Sequence, residues 1–133
     1  MKPRMAVMLA LLLAGTASAE RIPQPRSEAD LVLAGTVARV TSTDKKFGSD
    51  GVMTTYVAEV KVSEVEKGKG AKAGETVKVT WFNVTKTPSR PLPGAYGQAH
   101  KLKAKDNARF WLMKSKGPWI VIYNKDGVEK LKQ

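Results

Sequence analysis

The chain has no cysteine and a single histidine, His100, among 133 residues. Without cysteine there are no disulfide staples, no thiol nucleophile and no thiolate metal ligand. A zinc site of the usual kind takes three or four His, Cys or acidic ligands at close spacing, and one histidine does not supply them. A Ser–His–acid triad would have to use that same histidine, and no serine stands in a G-x-S-x-G turn. Acidic residues are scarce as well, 12 against 23 basic ones, for a formal net charge of +11. No apolar run reaches the roughly 20 residues needed to span a bilayer. These absences leave no nucleophile–base pair. The sequence therefore predicts no enzyme, no metal and no cofactor.

The first residues form a pattern of their own. Lys2 and Arg4 precede the apolar run Met5–Ala14, and Ala17-Ser18-Ala19 follows as a small-x-small cleavage site. This predicts a secretory signal peptide over residues 1–19, cut between Ala19 and Glu20. The expected location is periplasmic or secreted. An exported chain without cysteine fits a bacterial envelope better than an animal secretory route. Removing residues 1–19, which hold two basic and no acidic residues, leaves 114 residues at +9. That length suits one domain. Residues 20–28, with Pro23 and Pro25, read as an extended lead-in to a single domain over residues 29–133.

The clearest secondary-structure signal is Thr54–Val65. Tyr56, Ala58, Val60 and Val62 fall on one face; Thr55, Val57, Glu59, Lys61 and Ser63 fall on the other. Side chains alternate across a strand, so this is a strand with one buried and one wet face. Thr76–Phe82 alternates in the same way, with Val77, Val79 and Trp81 inward, and the two segments predict an antiparallel hairpin. An earlier strand is expected over Val32–Val40, with Gly35 marking a close backbone approach. Ser27–Asp30 fits a helix-capping pattern. Thr43–Gly51 reads as a polar loop ending in an Asp-Gly turn. Later strands are expected at Ala108–Met113, Trp119–Tyr123 and Val128–Leu131. Asn83–Asn107, rich in proline and glycine, is a long connection of the sort that often carries function, with a short helix expected over Ala99–Lys105. Three strands, an interruption and two or three more predict an all-β, five- to six-stranded OB-like barrel. The alternative is an open β-sandwich.

The runs Ala29-Asp30-Leu31-Val32-x-x-Gly35-Thr36-Val37, Tyr56-x-x-x-Val60 leading into Lys67-Gly68, and Gly74-Glu75-Thr76-Val77-x-Val79 carry a resemblance. They resemble a group of small exported bacterial proteins of unknown function. The barrels of that group are similar to the OB-like domain of netrins and tissue inhibitors of metalloproteinases. The resemblance covers about Ala29–Met113 and implies the fold. It does not carry over protease inhibition, which in those inhibitors rests on an N-terminal cysteine and disulfides that this chain lacks.

Charge and aromatics bound the function. Lysines gather in turns at Lys45-Lys46, Lys67–Lys72 and Lys101–Lys105. This predicts a non-enzymatic binding module for an anionic polymer, an anionic lipid surface or an acidic protein. Single-stranded nucleic acid is the alternative partner, since OB barrels stack bases on aromatics in a basic groove. A further alternative is an enzyme or inhibitor with its site in the 90–101 loop. The candidate ligand-binding residues are Trp81, Arg90, Tyr96, His100 and Lys101. For His100 the expected setting is an exposed surface loop. Gly68–Gly74 lacks the phosphate-loop order and reads as a basic turn.

Overall fold

Alternation in Thr54–Val65 sets the inner wall of the molecule. In the computed structural model, which describes residues 22–132, Ala58, Val60 and Val62 are buried and Tyr56 is half-buried. A one-residue slip would bury Glu59 and Lys61 instead, so this register is strongly specified. Six strands form: β1 (Leu31–Phe47), β2 (Gly51–Lys67), β3 (Thr76–Lys86), β4 (Asn107–Met113), β5 (Trp119–Val121) and β6 (Val128–Leu131). The predicted signal peptide lies outside the described residues.

All six strands belong to one sheet in the order β1-β2-β3-β5-β4-β6, and β4 pairs back onto β1. Five strands thus close a ring, in the OB-like order predicted. A single closed sheet replaces the two layers of the open-sandwich alternative. Every pairing is antiparallel except β3–β5. β6 and β5 share one edge of β4, Asn107–Phe110 pairing with β6 and Leu112–Met113 with β5. Closure removes edges that an open sheet would present to other chains.

The ring is filled by Leu33, Val60, Val79, Phe110 and Leu112, all fully buried. β4 shows the alternation most cleanly: Ala108, Phe110 and Leu112 point in, while Arg109, Trp111 and Met113 are half-buried outside. β1 serves two neighbours, β2 along its whole length and β4 over Leu31–Thr36. Three register shifts in its pairing with β2 supply the bend. Such bulges sharpen local twist. One falls at Gly35, where a β-carbon would overlap the Lys61 carbonyl oxygen and the Val60 side chain.

Three expectations are corrected. β1 runs on to Phe47, so the polar loop shrinks to a turn at residues 48–50. The outer half of the β1–β2 hairpin projects past the ring. Thr41–Lys46 of β1 are exposed on both faces there, and polar residues suit them, while Gly51 and Thr54 on the facing arm are buried. Asp44, assigned to that loop, instead accepts a 2.7 Å hydrogen bond from Thr54 Oγ1 across the hairpin. Residues 99–105 form no helix; the chain there is irregular, with a turn at 104–105. At the start, a single 3-10 turn, Arg26–Glu28, follows Pro25 without a side-chain cap.

The lead-in is held down. Asn124 Nδ2 donates to the Gln24 carbonyl at 2.8 Å, and Arg26 Nε donates to the Asp126 carbonyl at 2.8 Å. The Arg26 guanidinium lies 3.7 Å above the Trp111 ring, a cation–π contact. A second small apolar cluster, Ala29, Val32 and Ile122, sits beneath it.

Candidate functional site

The long connection between β3 and β4 makes the site, and its course explains which residues meet. It first crosses the hairpin tip. Asp50 accepts hydrogen bonds from Ser89 N at 3.0 Å and Ser89 Oγ at 2.6 Å. These bonds hold the Asp50 carboxyl below its ordinary pKa. Pro88 is buried against the tip glycines. The chain then turns back beside β3. Val84 N donates to the Tyr96 carbonyl at 2.8 Å and Gln98 N to the Phe82 carbonyl at 2.9 Å. Gly97 lies between them at φ 86°, where a β-carbon would overlap the Phe82 carbonyl. Only glycine fits that position easily.

Past Gln98 the chain bends over the open end of the ring. His100 packs edge-on to Trp81, with ring centroids 5.8 Å apart at 73°. Trp81 stacks on Tyr56 at 5.2 Å and 14°, the two being cross-strand partners on the inner face of β2 and β3. Beside them lies a cleft of about 240 Å³. Its apolar wall is Val40, Tyr56 and Leu102; its polar groups are Trp81, Asn83, His100 and Lys101. Trp81 Nε1 and His100 Nε2 are buried, and neither has a hydrogen-bond partner. Two orphaned polar atoms in adjoining rings are unusual in a folded protein, where such groups are nearly always paired.

His100 is thus half-buried and not the exposed loop residue expected. Burial pushes its pKa down to about 4, because the charged form loses its hydration. At neutral pH the imidazole is uncharged. Among the described residues no carboxylate and no hydroxyl is hydrogen-bonded to it. A nucleophilic triad needs both. Nor do three His, Asp or Glu side chains converge anywhere in the described residues to hold a metal ion.

Of the five residues singled out from the sequence, Trp81, His100 and Lys101 meet at the cleft. Tyr96 and Arg90 do not. The Tyr96 hydroxyl donates to the Leu92 carbonyl at 2.8 Å and accepts from Leu92 N at 2.9 Å, and its ring meets Phe47 edge-on at 5.3 Å. It is a brace for its own loop. Arg90 is exposed at the hairpin tip, next to Ser89. Sequence reasoning missed Asn83 and Leu102. Asn83 lies one strand residue beyond the expected end of β3, so nothing marked it as facing inward.

The tip is a second feature. Lys46, Val52 and Lys86 share one cross-strand row, so both lysines lie on one face. Lys45 and Arg90 flank them in the chain. Among the described residues none of the four makes an ion pair, whereas Arg39, Lys103, Arg109 and Lys130 do. Comparison with protein-family models, with curated proteins and with solved structures finds no match for this chain.

Proposed function

We propose that the protein is a non-enzymatic binding module that engages an anionic polymer or surface through the hairpin tip. The observation that carries this reading is Lys46 and Lys86 on one face of the tip, with Lys45 and Arg90 close by in the chain and none of the four in an ion pair among the described residues. Two carboxylates lie nearby, Asp44 bonded by Thr54 and Asp50 by Ser89, and the charge of Lys86 also acts on Asp50. Four cations against two carboxylates leave the tip net positive, and its potential reaches outward over a Debye length, about 8 Å at physiological salt. The leader pattern of residues 1–19 supports a setting in the periplasm or outside the cell, where anionic polymers and lipid headgroups are abundant. The neutral, unassisted His100 supports binding over turnover.

Single-stranded nucleic acid is the less supported partner. Base stacking needs open aromatic faces. Here Tyr56 and Trp81 stack on each other, and Phe82 stacks on Tyr123 at 6.2 Å. The test is a titration of a heparin-like polymer, anionic vesicles and single-stranded DNA at about 20 mM and 500 mM salt, a range from weak to strong screening. The expected result is binding at low salt to the polymer or the vesicles that fades at high salt. A Lys46→Gln/Lys86→Gln/Arg90→Gln variant should lose up to about 3 kcal/mol, near 1 kcal/mol per cation at an anionic surface. Absence of binding at low salt, or an unchanged variant, removes the reading.

A further inference from the structure

The cleft is separate from the basic tip, and its chemistry differs. Four polar side chains line it, Trp81, Asn83, His100 and Lys101. Trp81 Nε1 and His100 Nε2 are buried and unpartnered. The Asn83 amide and the Lys101 ammonium bond to no other described side chain. An indole N–H and an ammonium only donate, an amide offers two donors, and a neutral imidazole offers one. Donors therefore outnumber acceptors, and a ligand that fits must be rich in acceptor oxygen. The ammonium at the rim favours negative charge on it. The remaining wall, Val40, Tyr56 and Leu102, calls for an apolar body. A dry cavity of about 150 Å³ accepts benzene. A hollow of about 240 Å³ has room for a six-membered ring with one substituent.

We propose that this cleft binds a ring-bearing monocarboxylate. The carboxylate faces Lys101 and Asn83, and the ring lies against Tyr56 and Val40. His100 and the bend around it form the cover that the ligand displaces to reach the Trp81 indole N–H. Two sources share this chemistry, an aromatic acid and a sugar acid whose apolar C–H face lies on the Tyr56 ring, and benzoate and glucuronate stand for them.

The test follows the indole N–H signals in ¹H–¹⁵N spectra. The chain has three tryptophans. Trp111→Phe and Trp119→Phe, both at half-buried positions and both keeping an aromatic ring, identify the Trp81 signal. Benzoate or glucuronate is expected to shift that signal saturably, and whichever does so names the source. Benzyl alcohol and glucose, which lack the carboxylate, are expected to bind at least about tenfold more weakly, as is either acid to Lys101→Gln, the size of effect one charge-assisted hydrogen bond gives. A Trp81 signal unmoved by both acids overturns the proposal. So do neutral analogues that bind equally well, or a Lys101→Gln variant with full affinity. The Lys46→Gln/Lys86→Gln/Arg90→Gln variant should keep cleft binding while losing polyanion binding, so the two readings fail separately. Loss of carboxylate binding in that variant places the ligand at the tip and also overturns the proposal.

Discussion

Mild acidification, from pH 7 toward pH 5, should destabilise this protein, and His100 is the cause. The unfolded chain takes up a proton at histidine near pH 6.5, while the folded one waits until about 4. Between those values the unfolded state binds more protons, so stability falls as pH falls. From pH 7 to pH 5 the loss comes to about 2 kcal/mol, and by pH 4 to about 3 kcal/mol, from linkage at about 1.4 kcal/mol per decade of proton affinity. These are upper figures, because His100 is only half-buried and a small opening of its loop would hydrate the ring. The window is clean of other imidazoles, since His100 is the single histidine. Asp50 and Asp106 have lowered pKa values, Asp50 chiefly through Ser89 and Asp106 chiefly through Lys103. Their stabilisation is present above the unfolded carboxylate pKa and is lost only as pH drops through their folded values, below the histidine window. Urea unfolding at pH 7, 6 and 5 measures the effect, with His100→Leu as the control. The variant should show a flat profile over this range. A wild-type loss under about 0.5 kcal/mol, or a His100→Leu variant that loses as much as wild type, would refute the reasoning.

Three other outcomes are expected. Val60→Asp puts an unpaired carboxylate in the filled ring and should abolish cooperative folding; a thermal melt like that of wild type would show the wrong face of β2 was taken as buried. Gly97→Ala should cost at least about 1–2 kcal/mol, for a left-handed backbone in a residue with a side chain. It should also speed amide exchange at Val84 and Gln98, whose bonds hold that segment to β3, and unchanged exchange contradicts the assigned pairing. Mass spectrometry of the protein from its native host should find a chain starting at Glu20; a retained Met1 would end the export reading.

Much of the fold was legible because the buried faces repeat every second residue. β2, β4 and the inner half of β3 each put three or more apolar side chains on one side, and that signal survives single-residue noise. The hairpin tip carried no such signal. Thr41–Lys46 is polar on both sides because the strand there leaves the ring, and a strand wet on both faces looks like a loop. The expected helix at residues 99–105 failed for a related reason. The chain leading into it, Tyr96–Gln98, is already committed to backbone pairing with Phe82–Val84, and residues 99–102 then cross the end of the ring in one bend. The site was half visible. Nearness in sequence grouped Arg90 and Tyr96 with His100, but Asp50 fixes Ser89 and its neighbour at the tip, and Tyr96 folds back onto Leu92. A lone histidine has no period, so its burial could be learned only from what lies beneath it.

The β1–β4 closure has a consequence for how the molecule forms. Leu31 pairs with Leu112 and Thr36 with Asn107, contacts between residues far apart in the chain. Bringing such distant segments together costs loop entropy before any pairing rewards it. The hairpin of β1, β2 and β3 can assemble early from neighbours in sequence, but it leaves Leu31, Leu33 and Val60 facing water until β4 and β5 arrive. Folding should therefore be slow, in the milliseconds-to-seconds range of barrels dominated by non-local pairs. A growing chain cannot complete its core until Val121 has been made. Throughout synthesis the protein is a partly formed sheet with an apolar side exposed, and the interval before the last strand lands is when a chaperone or an aggregation partner can compete for it.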